Sequence, residues 1–225
     1  TIPLLYEKPK LDHILLAIFL VYMGTRSKPS FTLTFLPSLA IYGLMHWRKL
    51  KQLNWTYLIV GLGIPAVLVL ASQYFLTYSA GMGNGLEFAP FRSILIYLPN
   101  IPTVLLYTLL SIASPLLFSI YYWEKIKKDP AVIIAWINFG LSLFLGYAFA
   151  EQLNPGSLNF WWNPMIALFF LFLVTIANAG KVGLLGAVKQ KMNPDEWVIL
   201  GAFVLQLACG VIYVIRITIN PLDLL

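Results

Sequence analysis

The sequence predicts an all-α, polytopic transmembrane helix bundle with six or seven spans, and three observations predict it. Between Ser93 and the C-terminus, four stretches contain no Asp, Glu, Lys or Arg, and each is long enough to cross a bilayer. Of the 225 residues, 60% are hydrophobic and 11% are charged, which leaves no polar coat for a soluble domain of that size. A helix also satisfies its own backbone hydrogen bonds, which lipid cannot do, so helices are permitted where an open sheet is excluded.

A helix rising 1.5 Å per residue needs about 20 apolar residues to cross a hydrocarbon layer about 30 Å thick. Leu11 to Gly24 is short and begins with Asp12 and His13, so it is expected either to span or to be re-entrant. Phe31 to Trp47 is a sixth candidate. Trp55 to Leu76, Pro102 to Tyr122, Ala131 to Ala150 and Trp197 to Ile215 carry no formal charge, and Trp161 to Ala179 is slightly shorter. Between the third and fourth of these, Ile94 to Leu98, followed by Pro99 and Pro102, predicts a short interfacial piece. Each proline removes a backbone donor and disfavours helix at the residue before it. One transmembrane helical domain is expected over residues 1–225.

The net charge of +6 sits in short loops beside the spans, which points to membrane topology and not to nucleic acid. Arg48, Lys49 and Lys51, then Lys125, Lys127 and Lys128, then Lys181, Lys189 and Lys191 occupy alternate loops, and the positive-inside rule makes that side cytoplasmic. The outer side receives Thr77 to Arg92 and Gln152 to Phe160, with Glu151 at the membrane edge. If Leu11 to Gly24 spans, Lys8 and Lys10 fall inside, Thr25 to Ser30 falls outside, and seven spans are favoured. Arg26 and Lys28 are then cations on the side poor in them. They either snorkel to lipid phosphates or meet an anionic ligand.

The glycine-rich loop around Gly81, Gly83 and Gly85 lacks the strand and helix context of a nucleotide fingerprint, so it is expected to be a connector or a lid, with Glu87 and Arg92 as its charged groups. Glu151 is expected to end the fifth span and to need a cation, with Arg26, Lys28 and Arg92 available on its side. Trp161 and Trp162 fit headgroup anchors, and their rings are also suited to the apolar faces of sugars. His13 and His46 have no Cys or second His to complete a metal cluster or a triad, and no metal ligand is assigned. Cys209 is expected to be a small packed residue inside the last span, without a disulfide framework. Asn54-Trp55-Thr56 matches a glycosylation acceptor but lies at a cytoplasmic helix end, which rejects it.

Two patches, "GTRSKPSFTLTFLPSLAIY" from Gly24 to Tyr42 and "AEQLNPGSLNFWWNPMIALFFLF" from Ala150 to Phe172, resemble bacterial multi-spanning GT-C-type glycosyltransferase-like proteins of cell-surface polysaccharide assembly. The match rests on Ser27, Lys28, Pro29 and Ser30 after one helix, and on Glu151, Asn159, Phe160 and Trp161 after another. The resemblance implies transfer of a sugar from a polyprenyl phosphate on the outer face of the bacterial cytoplasmic membrane. Lys28 with Arg26 would neutralise the lipid phosphate as it leaves, and Glu151, Asn159 and Trp161 would line the sugar side. Glu87 would serve as a base only if its loop folds over the site. The family's catalytic carboxylate lies in a first outer loop with no counterpart after Thr1, so the catalytic residues stay unknown and the chain is expected to be the C-terminal portion of such a protein. The cofactor stays unknown, and a divalent cation is left open. The competing expectation is a non-catalytic membrane subunit or transporter portion with membrane protein partners. Almost no ionisable group lies in midspan, which counts against proton-coupled transport.

Overall fold

In the computed structural model the described residues are 10–47, 54–78, 85–157, 160–184 and 192–219. The elements run α1 (Leu11–Ser27), α2 (Pro29–Met45), a π-helical segment (Tyr57–Gly63) continuous with α3 (Ile64–Tyr78), β1 (Leu86–Phe88), α4 (Arg92–Leu95), α5 (Ile101–Ser111), α6 (Ala113–Ile126), α7 (Pro130–Ala148), β2 (Phe149–Glu151), a 3-10 turn (Pro155–Ser157), α8 (Trp162–Lys181) and α9 (Pro194–Ile219). Four stretches, Tyr57–Leu76, Pro130–Ala148, Trp162–Lys181 and Pro194–Ile212, are long and apolar enough to cross a membrane, and the bent pair α5 and α6 makes a fifth. The other two expected spans fall on α1 and α2, each of 17 residues.

The chain divides into two compact units. The first holds α1 to α4, α7, both strands and Trp162–Leu171 of α8. The second holds α5 from Pro102, α6, the rest of α8 from Phe172, and α9.

In the first unit, α2 and α7 form the most extensive helix pairing among the described elements. Small polar residues recur one turn apart on α2 as Ser30, Thr34 and Ser38, and α7 offers Ala135, Asn138, Ser142 and Gly146, all buried. Small side chains let helix backbones approach closely in lipid, where van der Waals packing and interhelical hydrogen bonds replace the hydrophobic drive. Thr34 Oγ1 lies 3.0 Å from Ser142 Oγ and donates to Asn163 Oδ1 on α8 at 3.3 Å, so three helices share one buried polar knot. Against α1, Ala17 packs on Tyr57 of the π-helical segment, with Ile14, Leu58 and Leu62 around them. That segment has a local cause: Pro65 has no N–H to offer the Gly61 carbonyl, and the ladder shifts so that Ile64 N–H reaches Ile59 O.

Two expectations are corrected here. Ala131 to Ala150 is not helical to its end: α7 stops at Ala148, and Phe149–Glu151 is extended and pairs antiparallel with Leu86–Phe88. The incoming loop satisfies the last carbonyls of α7, with Ala89 N–H on Ala148 O at 2.9 Å and Phe91 N–H on Tyr147 O at 2.6 Å. At the start of α7, Asp129 accepts from Ala131 N–H at 2.9 Å, ahead of Pro130 at the first helical position. The ribbon brings together the two loops that charge counting assigned to one side.

The second correction is Pro102 to Tyr122, which does not cross as one straight helix. It breaks at Ile112, where α5 and α6 meet at 57°. Pro115 lacks the N–H that would bond Ser111 O, and its ring crowds that carbonyl. Gln206 of α9 fills the gap: its Nε2 donates to Leu110 O and Ser111 O, both at 2.7 Å, while its Oε1 accepts from Ser114 N–H at 3.1 Å. Ser114 Oγ donates to the same oxygen. A side-chain amide inserted in the ladder thus replaces the bonds that the proline removed, as a broken helix at membrane depth requires. Elsewhere on α9, Trp197, Val204, Leu205 and Leu207 are exposed, and so is Cys209, which is therefore not packed as expected.

Candidate functional site

The turn between α1 and α2 is a single residue, Lys28, with φ −148° and ψ 89°. Pro29 at the first position of α2 is preset for helix, and no side chain caps the N–H groups that follow. The start of α2 therefore carries the positive end of a helix dipole beside a lysine, the arrangement by which backbone and side chain together attract an anion. Lys28 Nζ lies 4.8 Å from the centroid of the Trp162 ring at the start of α8, so the aromatic face holds the ammonium in place.

Lys28, Pro29 and Ser30 line one end of a cavity of about 920 Å³, together with Gln73, Gly85 and Glu151. Leu33, Val67, Leu70, Tyr74 and Phe75 make its apolar flank. Ser30 is 7% exposed, and its Oγ has no hydrogen-bond partner among the described residues. Gln73 donates through Nε2 to the backbone carbonyl of Arg26 at 3.0 Å, while its Oε1 is buried without a partner among the described residues. Glu151, 7% exposed, sits on β2 opposite Leu86, and both residues face the cavity. The chamber's lining thus includes a cation and a carboxylate, with Ser30 Oγ and Gln73 Oε1 buried behind its surface. Buried polar groups left unpaired by the protein are costly unless something else satisfies them.

The sequence-derived candidates separate into four groups. Lys28 and Glu151 line this chamber, and Arg26 joins it through its carbonyl, while its side chain is exposed. Glu87 and Arg92 form an ion pair with each other. Because Glu87 is one residue out of phase with Leu86, it lies on the opposite face of the ribbon from Glu151. The cation expected for Glu151 is therefore not Arg92. Trp161 packs edge-on against Tyr147 with ring centroids 5.1 Å apart, and its buried Nε1 has no partner among the described residues. Asn159 lies outside the described residues.

Ser30 entered only as part of the Ser27 to Ser30 match, and Gln73 was missed because only formally charged residues were weighed in the spans. A glutamine three residues before the end of the otherwise apolar span Trp55 to Leu76 was the available signal. His46 is structural, with Nδ1 3.0 Å from Tyr42 O at the end of α2. Asn54, at the rejected acceptor motif, caps a helix by accepting Tyr57 N–H at 3.0 Å. Among the described residues, no group of three or more His, Cys, Asp or Glu is placed to hold a metal.

Fold and site together define an integral membrane protein of the polytopic helical class. Compared with protein-family models, curated proteins and solved structures, the chain matches none of them.

Proposed function

We propose that this chain is the carrier-binding helical portion of a bacterial GT-C-type glycosyltransferase-like protein, holding a polyprenyl-phosphate-linked sugar on the outer face of the cytoplasmic membrane. The observation that carries this reading is the convergence of Lys28, Ser30, Gln73 and Glu151 on one chamber with an apolar flank. In it, Lys28 and the uncapped start of α2 offset the phosphate charge. Glu151 accepts from sugar hydroxyls, and the aliphatic flank takes the first part of the lipid chain.

The reading includes seven spans, with α1 and α2 crossing as well. Seventeen residues reach about 26 Å, enough for a thin or locally adapted bilayer. Seven crossings put the Lys28 turn, the ribbon and the start of α8 on the outer side. A non-catalytic carrier-binding subunit is the second reading. Its support is that Glu151 is the only carboxylate among the described residues lining the chamber, so no acid and base pair is at hand.

The test is native mass spectrometry of the purified chain. Retained polyprenyl phosphate or its sugar conjugate, lost in Lys28→Ala, is the expected result. Ordinary phospholipid alone, bound equally by both proteins, would overturn the proposal.

A further inference from the structure

The helices that wall the chamber form two groups. α1, α2 and α3 are tied to one another: Lys28 alone joins α1 to α2, Thr25 Oγ1 lies 2.9 Å from Thr32 Oγ1, and Gln73 of α3 donates to Arg26 O at 3.0 Å. α7, the ribbon and the start of α8 are tied by strand pairing, by the loop N–H groups on the last carbonyls of α7, and by Tyr147 against Trp161. The groups meet along α2, through Thr34 on Ser142 and Asn163 and through Phe31 and Phe35 on Phe170 of α8.

That side of α2 repeats every four residues, because Ser30-Phe31 is followed by Thr34-Phe35 and then by Ser38. Both phenylalanine rings lie edge-on to Phe170, with centroids 6.5 and 6.1 Å away. On α7, Asn138 and Ser142 are one turn apart on one face. The two helices run antiparallel, since Lys28 before α2 and Glu151 after α7 line the same chamber. Thr34 beside Ser142 therefore sets Ser38 level with Asn138, and Ser30 level with Gly146. In this register Ser38 Oγ donates to Thr34 O at 2.6 Å, and Gly146 has no side chain to offer. Ser30 Oγ and both amide atoms of Asn138 are left without partners among the described residues.

A step of one turn pairs them. When α2 advances by four residues along α7, about 6 Å with a rotation of about 40°, Ser30 takes the place of Thr34 beside Ser142 and Asn163. Thr34 then comes level with Asn138, and Phe31 takes the place of Phe35 on Phe170. Ser38 carries its bond with it, because the acceptor is on its own helix. The opposite step would set the Tyr42 ring level with Asn138 and leave Ser30 beyond the end of α7, so the direction is fixed. Packed helix faces have discrete arrangements, and a one-turn ratchet is among the known transitions between them.

We propose that α2 has two seats on α7, one turn apart, and that the chamber changes shape with the step between them. Lys28 and Ser30 travel with α2 while Glu151 stays with α7, so the lysine moves about 6 Å past the carboxylate. The seat described above holds Lys28 on the Trp162 ring and leaves two buried polar residues unpaired. The other seat pairs those residues and loses the ring contact. Opposing terms of this kind hold two states close in free energy. The inference does not depend on what the chamber binds.

The test is pulsed electron–electron resonance on the full chain in lipid nanodiscs, without ligand. In a Cys209→Ala background, spin labels go on Leu44→Cys of α2 and Phe144→Cys of α7, both exposed positions. Two distances roughly 5 Å apart are expected, the longer one from the second seat and at roughly a tenth of the total. Asn138→Leu and Ser30→Ala each remove a pairing that only the second seat makes. Either should cut the longer distance about fivefold or more, the effect of one lost hydrogen bond. Ser38→Ala, whose hydroxyl bonds its own helix in both seats, should leave the proportions unchanged. A single distance in the otherwise wild-type chain would overturn the proposal. So would two distances whose proportions neither Asn138→Leu nor Ser30→Ala changes.

Discussion

At the scale of single residues, Lys28 is the pivot of the site. Its backbone ends α1 and begins α2, and its ammonium rests on Trp162. Lys28→Ala is expected to weaken lipid monophosphate binding roughly tenfold or more, the scale of a lost hydrogen bond to a charged group, while thermal stability in detergent changes little. Lys28→Arg should keep most of the affinity. Equal binding by the alanine variant would remove the residue from the site. Asn138 is a different case. It is fully buried on α7, and neither amide atom has a partner among the described residues. Replacing an unpaired buried amide by a side chain of similar size removes a desolvation cost, so Asn138→Leu should be stabilising by about 1 kcal/mol or more. A drop in the thermal midpoint would show instead that the amide is satisfied. Both residues were visible in the sequence as exceptions to a pattern, one a cation on the side poor in cations and the other an amide inside an apolar run. What Lys28 meets was not visible, because Trp162 is far from it in the chain.

At the scale of elements, the break between α5 and α6 depends on two residues about 90 positions apart. Pro115 removes a bond, and Gln206 supplies replacements for the orphaned groups. Gln206→Leu should destabilise the protein by about 1 to 3 kcal/mol, because it leaves the carbonyls at the helix break unpaired where lipid offers no donor. Pro115→Ala in that background should recover part of the loss by restoring the ladder N–H to Ser111 O. Thermal denaturation of the two single variants and the double variant gives the cycle, and strictly additive effects would contradict the coupling. A proline in an apolar run warns of a bend. The choice between a straight span and a bent pair depended on what the neighbouring helix presented. The β-ribbon shows the same limit: strands of three residues carry no periodicity to read, and Glu151 joins β2 only because Gly85 to Phe91 arrives to pair with the end of α7. In the same loop Phe91 takes a left-handed backbone, φ 62°, while its ring packs 4.9 Å from that of Tyr147. That conformation is uncommon outside glycine and is held here by the surrounding contacts.

At the scale of the whole molecule, the proposed seven-span topology makes a prediction that does not depend on ligand. In a Cys209→Ala background, Arg26→Cys and Leu153→Cys should react with an impermeant maleimide from outside intact cells. Lys125→Cys should react only after permeabilisation. Arg26 and Leu153 are exposed, so failure of the reagent to reach them would not follow from burial. Labelling of Arg26→Cys only after permeabilisation would leave α1 and α2 short of seven crossings.

Composition and uninterrupted apolar length determined by themselves that the chain is a helical membrane protein, because hydrocarbon admits few other structures and the requirement is local to each segment. The same local reading marked Lys28 and Glu151 as the groups to watch. Tertiary structure decided the rest: Lys28 and Glu151 share a chamber, Glu87 and Arg92 turn to the other face of the ribbon, and Ser30 and Gln73 join the chamber's lining. The physical reason is that a charge in a loop is defined by its place in the chain, whereas a binding chamber is defined by which helix faces meet. That meeting depends on small residues, prolines and amides whose partners lie far away in sequence.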